Sequence, residues 1–338
     1  MSGAVAISLS DAERLAARAL MRAGLAESAA RPTARALVAA ERDGQKGHGL
    51  SRVPSYVEQV RCGKVKKEAT PVARRLSPAA TLIDAAHGFA YPAIDLAIEE
   101  VAGLARRSVI AMAAIRRSHH FGQAGAHVER LAEQGLVAFL FGNSPKAMAF
   151  WGGRTPMIGT NPVAFAAPLA EGPPLVIDLA LSVAARGKVL AAQKSGEAIP
   201  ADWALDADGR PTTDPAAALA GSMAPVGGAK GAALALMIEV VAAALTASNF
   251  GFEASSFLDG EGPPPDVGHV LIAIDPGPPS QGGYFSRMTR LVAAMAAEEG
   301  VRMPGATRLR NRAAAAASGL LLAPALLAEL RALAGEAV

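Results

Sequence analysis

The stretch VIAMAAIRRSHH, residues 109–120, carries the clearest indication of the fold. Residues 109–115 are apolar, a length that is typical of a buried strand and short for a helix. Arginine, serine and histidine side chains follow at once. A helical segment comes next, and residues 136–141 form a second apolar run that ends at Asn143-Ser144-Pro145. This succession of strand, loop, helix and strand predicts an α/β fold with polar residues clustered beyond the strand ends.

Further elements lie on both sides of this unit. Toward the N-terminus, residues 80–84 predict a strand and residues 93–105 an amphipathic helix. Toward the C-terminus, the patterns predict strands at 163–168, 175–178 and 270–274 and helices at 187–195 and 284–298. The predicted helix Lys230–Ser248 contains the apolar run Ala232–Ala247, which includes Glu239 and falls short of the roughly 20 predominantly apolar residues that a bilayer span requires. We therefore expect this run to form a helix buried in a globular core.

The composition excludes several classes of protein. Of the 338 residues, 51% are hydrophobic, which excludes global disorder. The 33 basic residues nearly balance the 30 acidic ones, and a net charge of +3 is too small to suggest a nucleic-acid partner. Cys62 is the single cysteine, and the N-terminus lacks the basic and apolar regions of a signal peptide. We expect a cytoplasmic protein that binds neither nucleic acid nor membrane.

Several common catalytic motifs are missing from the sequence. We find no Gly-x-Gly-x-x-Gly turn, no P-loop and no Gly-x-Ser-x-Gly elbow. The six histidines include no His-Glu-x-x-His pair. These absences argue against a Rossmann dinucleotide site, a phosphotransferase, a serine hydrolase and a dedicated zinc site.

Two short motifs contain histidines that are suited to acid–base chemistry. The first, Gly47-His48-Gly49-Leu50-Ser51-Arg52, lies in a loop after two predicted helices, where Arg52 can hold a carboxylate with its planar fork. The alternative is a helix-end loop with a capping histidine and a solvated arginine. The second, Ser118-His119-His120-Phe121-Gly122, follows the buried strand, and an imidazole there can donate and recover a proton near neutral pH. The alternative is that one of the two histidines belongs to the core.

Two glycine-rich stretches can bind anionic groups through backbone N–H donors. They are WGGRTPMIGTNP, residues 151–162, and GGAKG, residues 227–231. The second leads into a predicted helix with Lys230 at its first turn, an arrangement that favours phosphate. For the first stretch, a purely structural turn is the alternative.

Taken together, these motifs resemble those of the malate/L-lactate dehydrogenase-like oxidoreductases. The family includes ureidoglycolate and sulfolactate dehydrogenases and the Δ1-piperideine/Δ1-pyrroline-2-carboxylate reductases. The matching motifs, in chain order, are GHGLxR, SHHFG, WGGRxPxxGTNP, IDLAxSVxARGK and GGxKG. The resemblance covers nearly the whole chain, from about Leu9 to Leu330.

The resemblance implies a fold, a cofactor and an assembly. The fold is an α/β, non-Rossmann NAD(P)-binding fold that has a mixed sheet and a helical N-terminal region. Residues 1–70 would form a helical substrate and dimer region completed by residues 285–338, and residues 71–284 an NAD(P)-binding domain with an inserted substrate-side segment. The cofactor would be NAD(P)H, with NADPH slightly preferred, and the assembly a homodimer. The reaction would transfer hydride to C2 of a small 2-oxo acid or cyclic 2-imino acid.

The resemblance also assigns roles to individual residues, without any metal ligand. His120 matches the acid/base histidine and His48 a second catalytic histidine. Arg52 matches the arginine that binds the substrate carboxylate, and Thr160 a substrate-contacting threonine. The positions that match cofactor contacts are His120, Phe121, Gly122, Gln123, Ala124, Ser144, Asp178, Leu179, Ala180, Lys230 and Arg308.

Three positions depart from the family pattern. The family commonly has serine at the position of Gly47, and the aspartate that completes a proposed Ser–His–Asp relay in the cyclic-imine reductases aligns with Lys188. Ala306 stands in a loop that often carries an acidic residue. The lost relay favours a 2-hydroxy/2-oxo acid pair, whereas residues 251–254 resemble the cyclic-imine reductases equally well. A ligand-binding homologue without activity and a metal-dependent lyase at His119 and His120 are the alternatives from other classes.

Overall fold

A computed structural model of the protein describes residues 3–336. Its helices are α1 (Leu9–Arg22), α2 (Glu27–Arg42), α3 (Val53–Arg61), α4 (Ala90–Ser108), α5 (Ala124–Ala132), α6 (Arg186–Ser195), α7 (Pro215–Ala220), α8 (Ala229–Glu239), α9 (Tyr284–Ala296), α10 (Ala306–Ser318) and α11 (Pro324–Ala334). Its strands are β1 (Val5–Ile7), β2 (Val72–Ser77), β3 (Ala80–Asp84), β4 (Ile110–Ser118), β5 (Val137–Gly142), β6 (Met148–Ala149), β7 (Pro156–Ile158), β8 (Val163–Ala167), β9 (Leu175–Leu179), β10 (Ala204–Leu205), β11 (Ser222–Met223), β12 (Val267–Ile274) and β13 (Leu320–Leu322). Two 3₁₀ turns, Lys46–His48 and Leu50–Arg52, precede α3, and a π-helical turn, Val240–Ala244, follows α8.

Seven strands form the central sheet in the order β2-β3-β4-β12-β5-β8-β9. Strands β3 and β4 run parallel, and the other neighbouring pairs of this sheet run antiparallel. The predicted mixed sheet is therefore confirmed. It differs from the mostly parallel sheet of a doubly wound dinucleotide-binding fold, which agrees with the missing glycine fingerprint.

Strand β4 lies inside the sheet because its side chains suit burial. Alternate residues Ala111, Ala113 and Ile115 are almost completely buried, as the two-residue period of a strand requires on a face that meets the core. The small alanines let helix α4 pack closely against the strand. Because β4 is held from both edges, by β3 and β12, the residues that follow Ser118 start from a fixed position.

A second core joins the two ends of the chain. Helices α1, α2 and α3 pack with α11, and fully buried side chains such as Leu20, Leu37 and Tyr56 fill the space between them. Strand β1 pairs with β13 in an antiparallel register that sets Val5 opposite Leu322. This core carries the two 3₁₀ turns. The division into domains at residues 70, 71 and 285 stays a prediction.

The expectation of a buried helix over Lys230–Ser248 is wrong in two respects. Regular α-helix ends at Glu239, where the π-helical turn begins. Only one side of the segment is buried, and five apolar side chains on the other side are 38–59% exposed: Leu234, Leu236, Met237, Val240 and Leu245. A helix that is apolar all round predicts burial on every side, but this monomer covers one face only. Among the helices of residues 3–336, none combines the length and apolar character needed to cross a bilayer.

Candidate active site

His120 lies in the tight turn that connects β4 to α5. Gly122 in this turn has a φ of +69°, in the left-handed region that favours glycine. A β-carbon at position 122 would also lie 2.8 Å from the Tyr91 hydroxyl oxygen. The glycine therefore lets the chain reverse next to a buried tyrosine, and the reversal carries the His120 ring to the N-terminal helices.

Four side chains form a continuous chain of polar contacts around His120. The Nε2 atom of His120 lies 3.0 Å from Nδ1 of His48, and the two rings stack with an interplanar angle of 19°. On the opposite side of the ring, Nδ1 of His120 lies 2.5 Å from the hydroxyl oxygen of Tyr56. The Tyr56 hydroxyl is in turn 3.1 Å from that of Tyr91. Both ring nitrogens of His120 are thus engaged, and Tyr56 fixes the orientation of the imidazole.

Burial and a neighbouring charge keep the two histidines neutral. Desolvation and, to a smaller extent, the nearby Arg52 guanidinium lower the pKa of His48 to about 4. The pKa of His120 is also well below its usual value, first because of burial and then because of Arg52 and His48. An anion bound to Arg52 would offset this positive charge and raise both pKa values. Anion binding at Arg52 would therefore make protonation of the two rings less unfavourable.

Arg52 has a donor available for such an anion. Its Nε–H donates to the carbonyl oxygen of Gly47 over 2.6 Å, which fixes the guanidinium within its own loop. Its Nη1 atom is buried and has no hydrogen-bond partner in the described part of the chain. Because leaving a buried donor unpaired is unfavourable, this edge of the guanidinium is a natural binding position for a carboxylate.

The adjacent His119 has a different environment. Its Nε2 atom lies 2.7 Å from Oε1 of Gln59, and burial lowers its pKa to about 3. His269, on β12, approaches the His119 carbonyl oxygen from the other side, at 3.1 Å. His119 is therefore a buried histidine of the core behind the site, and His120 is the member of the pair that contacts His48.

A buried carboxylate organises the loops on the other side of the site. Glu239 accepts hydrogen bonds from Asn161 Nδ2 and from the backbone N–H of Gly251, both at 2.6 Å, and Asn143 Nδ2 lies 3.4 Å from it. These donors belong to three separate loops. Within them, the Ser144 hydroxyl accepts from the Thr160 N–H over 3.2 Å. The predicted Ser144 and Thr160 positions are thereby held together, at the point where the π-helical turn begins.

The predicted cofactor positions lie in several environments. Asp178 accepts from the N–H of Gly125 in the first turn of α5, over 2.7 Å, and burial raises its pKa. Leu179 and Ala180 beside it are exposed, whereas the Phe121 and Ala124 side chains are buried and leave only their backbone for a ligand. Lys230 is exposed at the start of α8, and no described contact joins it to the histidine pair. The Gly152–Arg154 part of the glycine-rich stretch is an exposed turn.

Arg308 and Gln123 offer unpaired polar atoms that suit a phosphate-bearing ligand. Arg308 is buried and pairs with Glu129 over 3.2 Å, and its Nε atom has no partner among residues 3–336. Gln123 donates to Asp43 over 3.3 Å, and its Oε1 atom is unpaired within the described part of the chain. Gly305, with a φ of +81°, brings the backbone close to the Arg308 guanidinium. These groups fit the phosphate and amide groups of a nicotinamide dinucleotide.

Several side chains of the site have no counterpart in the sequence analysis: Tyr56, Tyr91, Gln59, Glu239 as a loop anchor, and Phe257. Each acts through contacts between residues far apart in the chain, which leave no local spacing pattern. The one available signal is the pair of hydroxyl-bearing aromatics in a chain with only 3 tyrosines, since a buried tyrosine needs a polar partner. Among residues 3–336, no three His, Cys, Asp or Glu side chains are grouped to hold a metal ion.

Comparison with known proteins gives consistent matches over almost the full length. A family model described as malate/L-lactate dehydrogenase matches residues 7–331. A protein of Chromohalobacter salexigens named (2R)-3-sulfolactate dehydrogenase (NADP(+)) is 55% identical over 304 residues, which are 89% of this chain and 90% of that protein. A Δ1-pyrroline-2-carboxylate reductase of Ancylobacter novellus is 40% identical over 336 residues, 98% of each chain.

A solved structure extends this similarity to three dimensions. The crystal structure of Δ1-piperideine-2-carboxylate reductase from Pseudomonas syringae superposes with a TM-score of 0.91 and is 38% identical in sequence. The match covers 97% of this chain and 99% of that one.

Proposed function

Because the chain belongs to the malate/L-lactate dehydrogenase family, we propose that it is an NAD(P)H-dependent oxidoreductase of small 2-oxo or cyclic 2-imino acids. Hydride would be added to C2, and a proton to the oxygen or nitrogen bonded to C2. The observation that carries the proposal is the contact of two neutral histidines beside Arg52, whose Nη1 atom is buried and unpaired.

Arg52 would bind and orient the substrate carboxylate. Two parallel N–H donors of a guanidinium match the two oxygens of a carboxylate, so that one contact fixes both position and angle. Gly47 contributes its carbonyl oxygen, which restrains the guanidinium before the substrate arrives. With the carboxylate held here, the adjacent C2 group faces the histidine pair.

The histidine pair would supply the proton. Negative charge develops on the atom bonded to C2 as hydride arrives, and a positioned acid that neutralises it contributes about 10²–10⁴-fold in rate. We assign this role to His120, whose Nε2 atom would exchange its contact with His48 for one with the substrate, while His48 orients the substrate. Neutralisation of Arg52 by the bound carboxylate would remove one of the two causes that lower the pKa of His48 and would raise the pKa of His120 in the same direction, which makes protonation easier when substrate is present.

The cofactor would be held by groups on the opposite side of the site. NAD(P)H, when bound, supplies the hydride. Arg308, Gln123, Ser144 and the Asp178–Ala180 segment are the residues that we assign to it, because Arg308 offers an unpaired donor, Gln123 an unpaired acceptor, and Leu179 and Ala180 an exposed strand end. A slight preference for NADPH is supported by the relative that carries NADP(+) in its name. The ratio of kcat/KM with NADPH to that with NADH, measured on one substrate, tests this preference.

The choice between oxo and imino acids rests on how the histidines are supported. The serine and aspartate of the relay described for cyclic-imine reductases correspond to Gly47 and Lys188, and Lys188 lies over the Trp203 ring, 5.7 Å from its centre. Tyr56 is the hydroxyl group that contacts His120 in this chain. This difference favours a 2-oxo acid as substrate. Reduction of Δ1-pyrroline- or Δ1-piperideine-2-carboxylate is the second candidate, supported by relatives that carry these names.

A substrate panel tests the proposal. The purified protein is incubated with NADPH or NADH and with pyruvate, oxaloacetate, sulfopyruvate, Δ1-pyrroline-2-carboxylate or Δ1-piperideine-2-carboxylate. Consumption of the reduced cofactor with at least one acid supports an oxidoreductase, and the preferred acid decides between the two classes. Tight NADPH binding without consumption in any mixture would contradict the proposal and favour a homologue that binds cofactor without catalysis.

A homodimer is the assembly that we propose for the chain. Helix α9 has thirteen residues, none of them buried, although Phe285 and Leu291 are 41% and 52% exposed apolar side chains. A helix of this length gains little stability from propensity alone and normally packs through an apolar face. The exposed apolar side of α8 and its π-helical turn is a further uncovered surface. A second copy would cover both, in the cytoplasmic setting that the single cysteine favours.

The oligomeric state is measured by sedimentation velocity. The wild-type protein should sediment as a dimer, and Leu291→Glu should shift it toward monomer because a charge would be placed in the apolar contact. Leu76→Glu is the matched control, since Leu76 is equally exposed, at 52%, but lies on the edge strand β2. A monomeric wild type would contradict the proposed assembly.

A further inference from the structure

The loop formed by residues 251–262 passes over the histidine cluster and places an aromatic ring on it. The Phe257 ring centre lies 5.2 Å from that of His119 and 5.4 Å from that of His120. Its carbonyl oxygen accepts a hydrogen bond from Gln59 Nε2 over 3.0 Å, and the same glutamine contacts His119. The side chain is only partly buried, so that part of its surface is open to a ligand.

The loop is fixed firmly at the end next to α3. Lys64 is a buried lysine, and its ammonium group donates to the carbonyl oxygens of Ser256, Asp259 and Glu261 at 2.7, 3.1 and 2.6 Å. The Asp259 carboxylate, 3.4 Å away, adds a partial ion pair. A charge buried with this many oxygen partners holds the loop more strongly than a surface ion pair would.

The other end of the loop is joined to the Thr160 turn. Gly251 donates to Glu239 over 2.6 Å and accepts from the Lys146 N–H over 2.8 Å. A β-carbon at Gly251 would lie 2.8 Å from the backbone nitrogen of Gly159, so that the two turns are in direct contact. The loop therefore spans from the Thr160 turn to the C-terminal end of α3, with Phe257 between them.

We propose that Phe257 is a specificity-determining residue that limits the length of the substituent carried by C3 of the substrate. The inference rests on the proposed function. With the carboxylate on Arg52 and the C2 oxygen or nitrogen at the histidine pair, the remaining substituent must extend along a third direction. Phe257 contacts His120 and offers an apolar face there. The ring would therefore limit the length of the C3 substituent, independently of any charge that the substituent carries at its end.

The test compares substrate selectivity in three variants. Phe257→Ala and Phe257→Leu reduce the size of the side chain that faces the substituent. Leu258→Ala is the matched control, because Leu258 is the next residue of the loop and is 50% exposed. For each protein, kcat/KM is measured with pyruvate, 2-oxobutyrate, 2-oxovalerate and 2-oxohexanoate, and with the five- and six-membered cyclic imino acids.

Phe257→Ala should raise the ratio of kcat/KM for a longer acid to that for pyruvate by about fourfold for each added methylene, the value of burying one methylene group. The smaller change in Phe257→Leu should follow the same direction, and Leu258→Ala should leave all ratios unchanged. A uniform fall of kcat/KM across the series in both Phe257 variants would overturn the inference, because it would indicate a purely structural role.

Two further readouts separate the possible failures. Titration of each variant with NADPH, followed by nucleotide fluorescence, should give unchanged affinity and shows that the fold is intact. If the wild-type protein reduces none of the acids, the proposed function fails. If the wild type is active and the ratios stay constant in both variants, only the role of Phe257 is wrong.

Discussion

His48 and His120 are 72 residues apart in the chain, yet Nδ1 of the first lies 3.0 Å from Nε2 of the second. The contact joins the N-terminal helices to the end of the central strand β4. Because burial and Arg52 lower the pKa of both rings, a proton that the pair takes up is readily transferred to a bound substrate. Most of the chemistry that we propose depends on this pair.

Replacement of His120 tests the proton donor. His120→Ala should lower kcat by about 10²–10⁴-fold, because the developing charge at C2 then has no positioned acid. Binding of NADPH, measured by fluorescence, should survive. Tyr56→Phe should lower kcat more modestly, since it removes only the hydroxyl that orients the ring. His127→Gln, at a buried histidine outside the site, is the control, and near wild-type kcat in His120→Ala would refute the assignment.

Arg52→Lys tests carboxylate binding. Lysine keeps the positive charge but loses the planar fork, so that KM should rise more than tenfold while kcat changes less. The contact of Nε with Gly47 is lost as well, and the remaining charge becomes more mobile. Steady-state kinetics on the preferred acid measures both constants. An unchanged KM would place the carboxylate elsewhere.

Acid should destabilise the protein through its buried histidines. Burial lowers the pKa of His119 and His269 to about 3 and that of His127 to about 4, so these rings stay neutral in the folded chain and become charged on unfolding. The unfolded state thus binds more protons below pH 6.5. The free energy of unfolding should be largest above that pH and fall as the pH decreases toward 4, by up to about 1.4 kcal/mol per pH unit for each histidine.

Denaturant unfolding at pH 5, 6 and 7 measures this slope. His127→Gln should reduce the slope by up to one proton, because one buried group no longer titrates. Thr70→Ala, at an exposed residue without a titratable group, should leave it unchanged. A slope that is identical in all three proteins would show that His127 takes no part.

Glu239→Gln tests the anchor of the three loops. The carboxylate accepts from Asn161 and from the Gly251 N–H, and an amide would turn an N–H group toward one of these donors. We expect the free energy of unfolding to fall by about 1–3 kcal/mol and KM to rise, because Thr160 and the 251–262 loop lose their common support. Glu261→Gln, which changes an exposed carboxylate on the same loop, should have no effect on either quantity.

Much of the fold could be predicted from the sequence because it depends on local patterns. Short apolar runs that end in polar residues correctly indicate β3, β4 and β5. The two- and three-residue strands β6, β7, β10 and β11 and the pairing of β1 with β13 have no pattern long enough to detect. The segment Lys230–Ser248 shows the limit of sequence-based prediction most clearly. Its apolar residues predict a buried surface, but they do not identify the element or the second chain that packs on it.

The candidate site could be predicted only in part. The turn residues around His120 and the Gly47–Arg52 loop stand out locally, but their meeting at 3.0 Å follows from packing between distant segments. Tyr56 and Phe257 gain their roles wholly from such packing. The contacts between these distant residues cannot be predicted from a single sequence, whereas the resemblance to a known family identifies His48 and His120 as members of one site.

The buried ammonium group of Lys64 holds the 251–262 loop mainly through hydrogen bonds to backbone carbonyl oxygens, which every residue type provides. Side chains of the 251–262 loop can therefore be replaced while the hydrogen bonds to Lys64 are kept, provided that the backbone conformation does not change. Variation of side chains in this loop could thus have produced relatives with different substrates. The same loop is a suitable region to mutate when a new substrate specificity is sought.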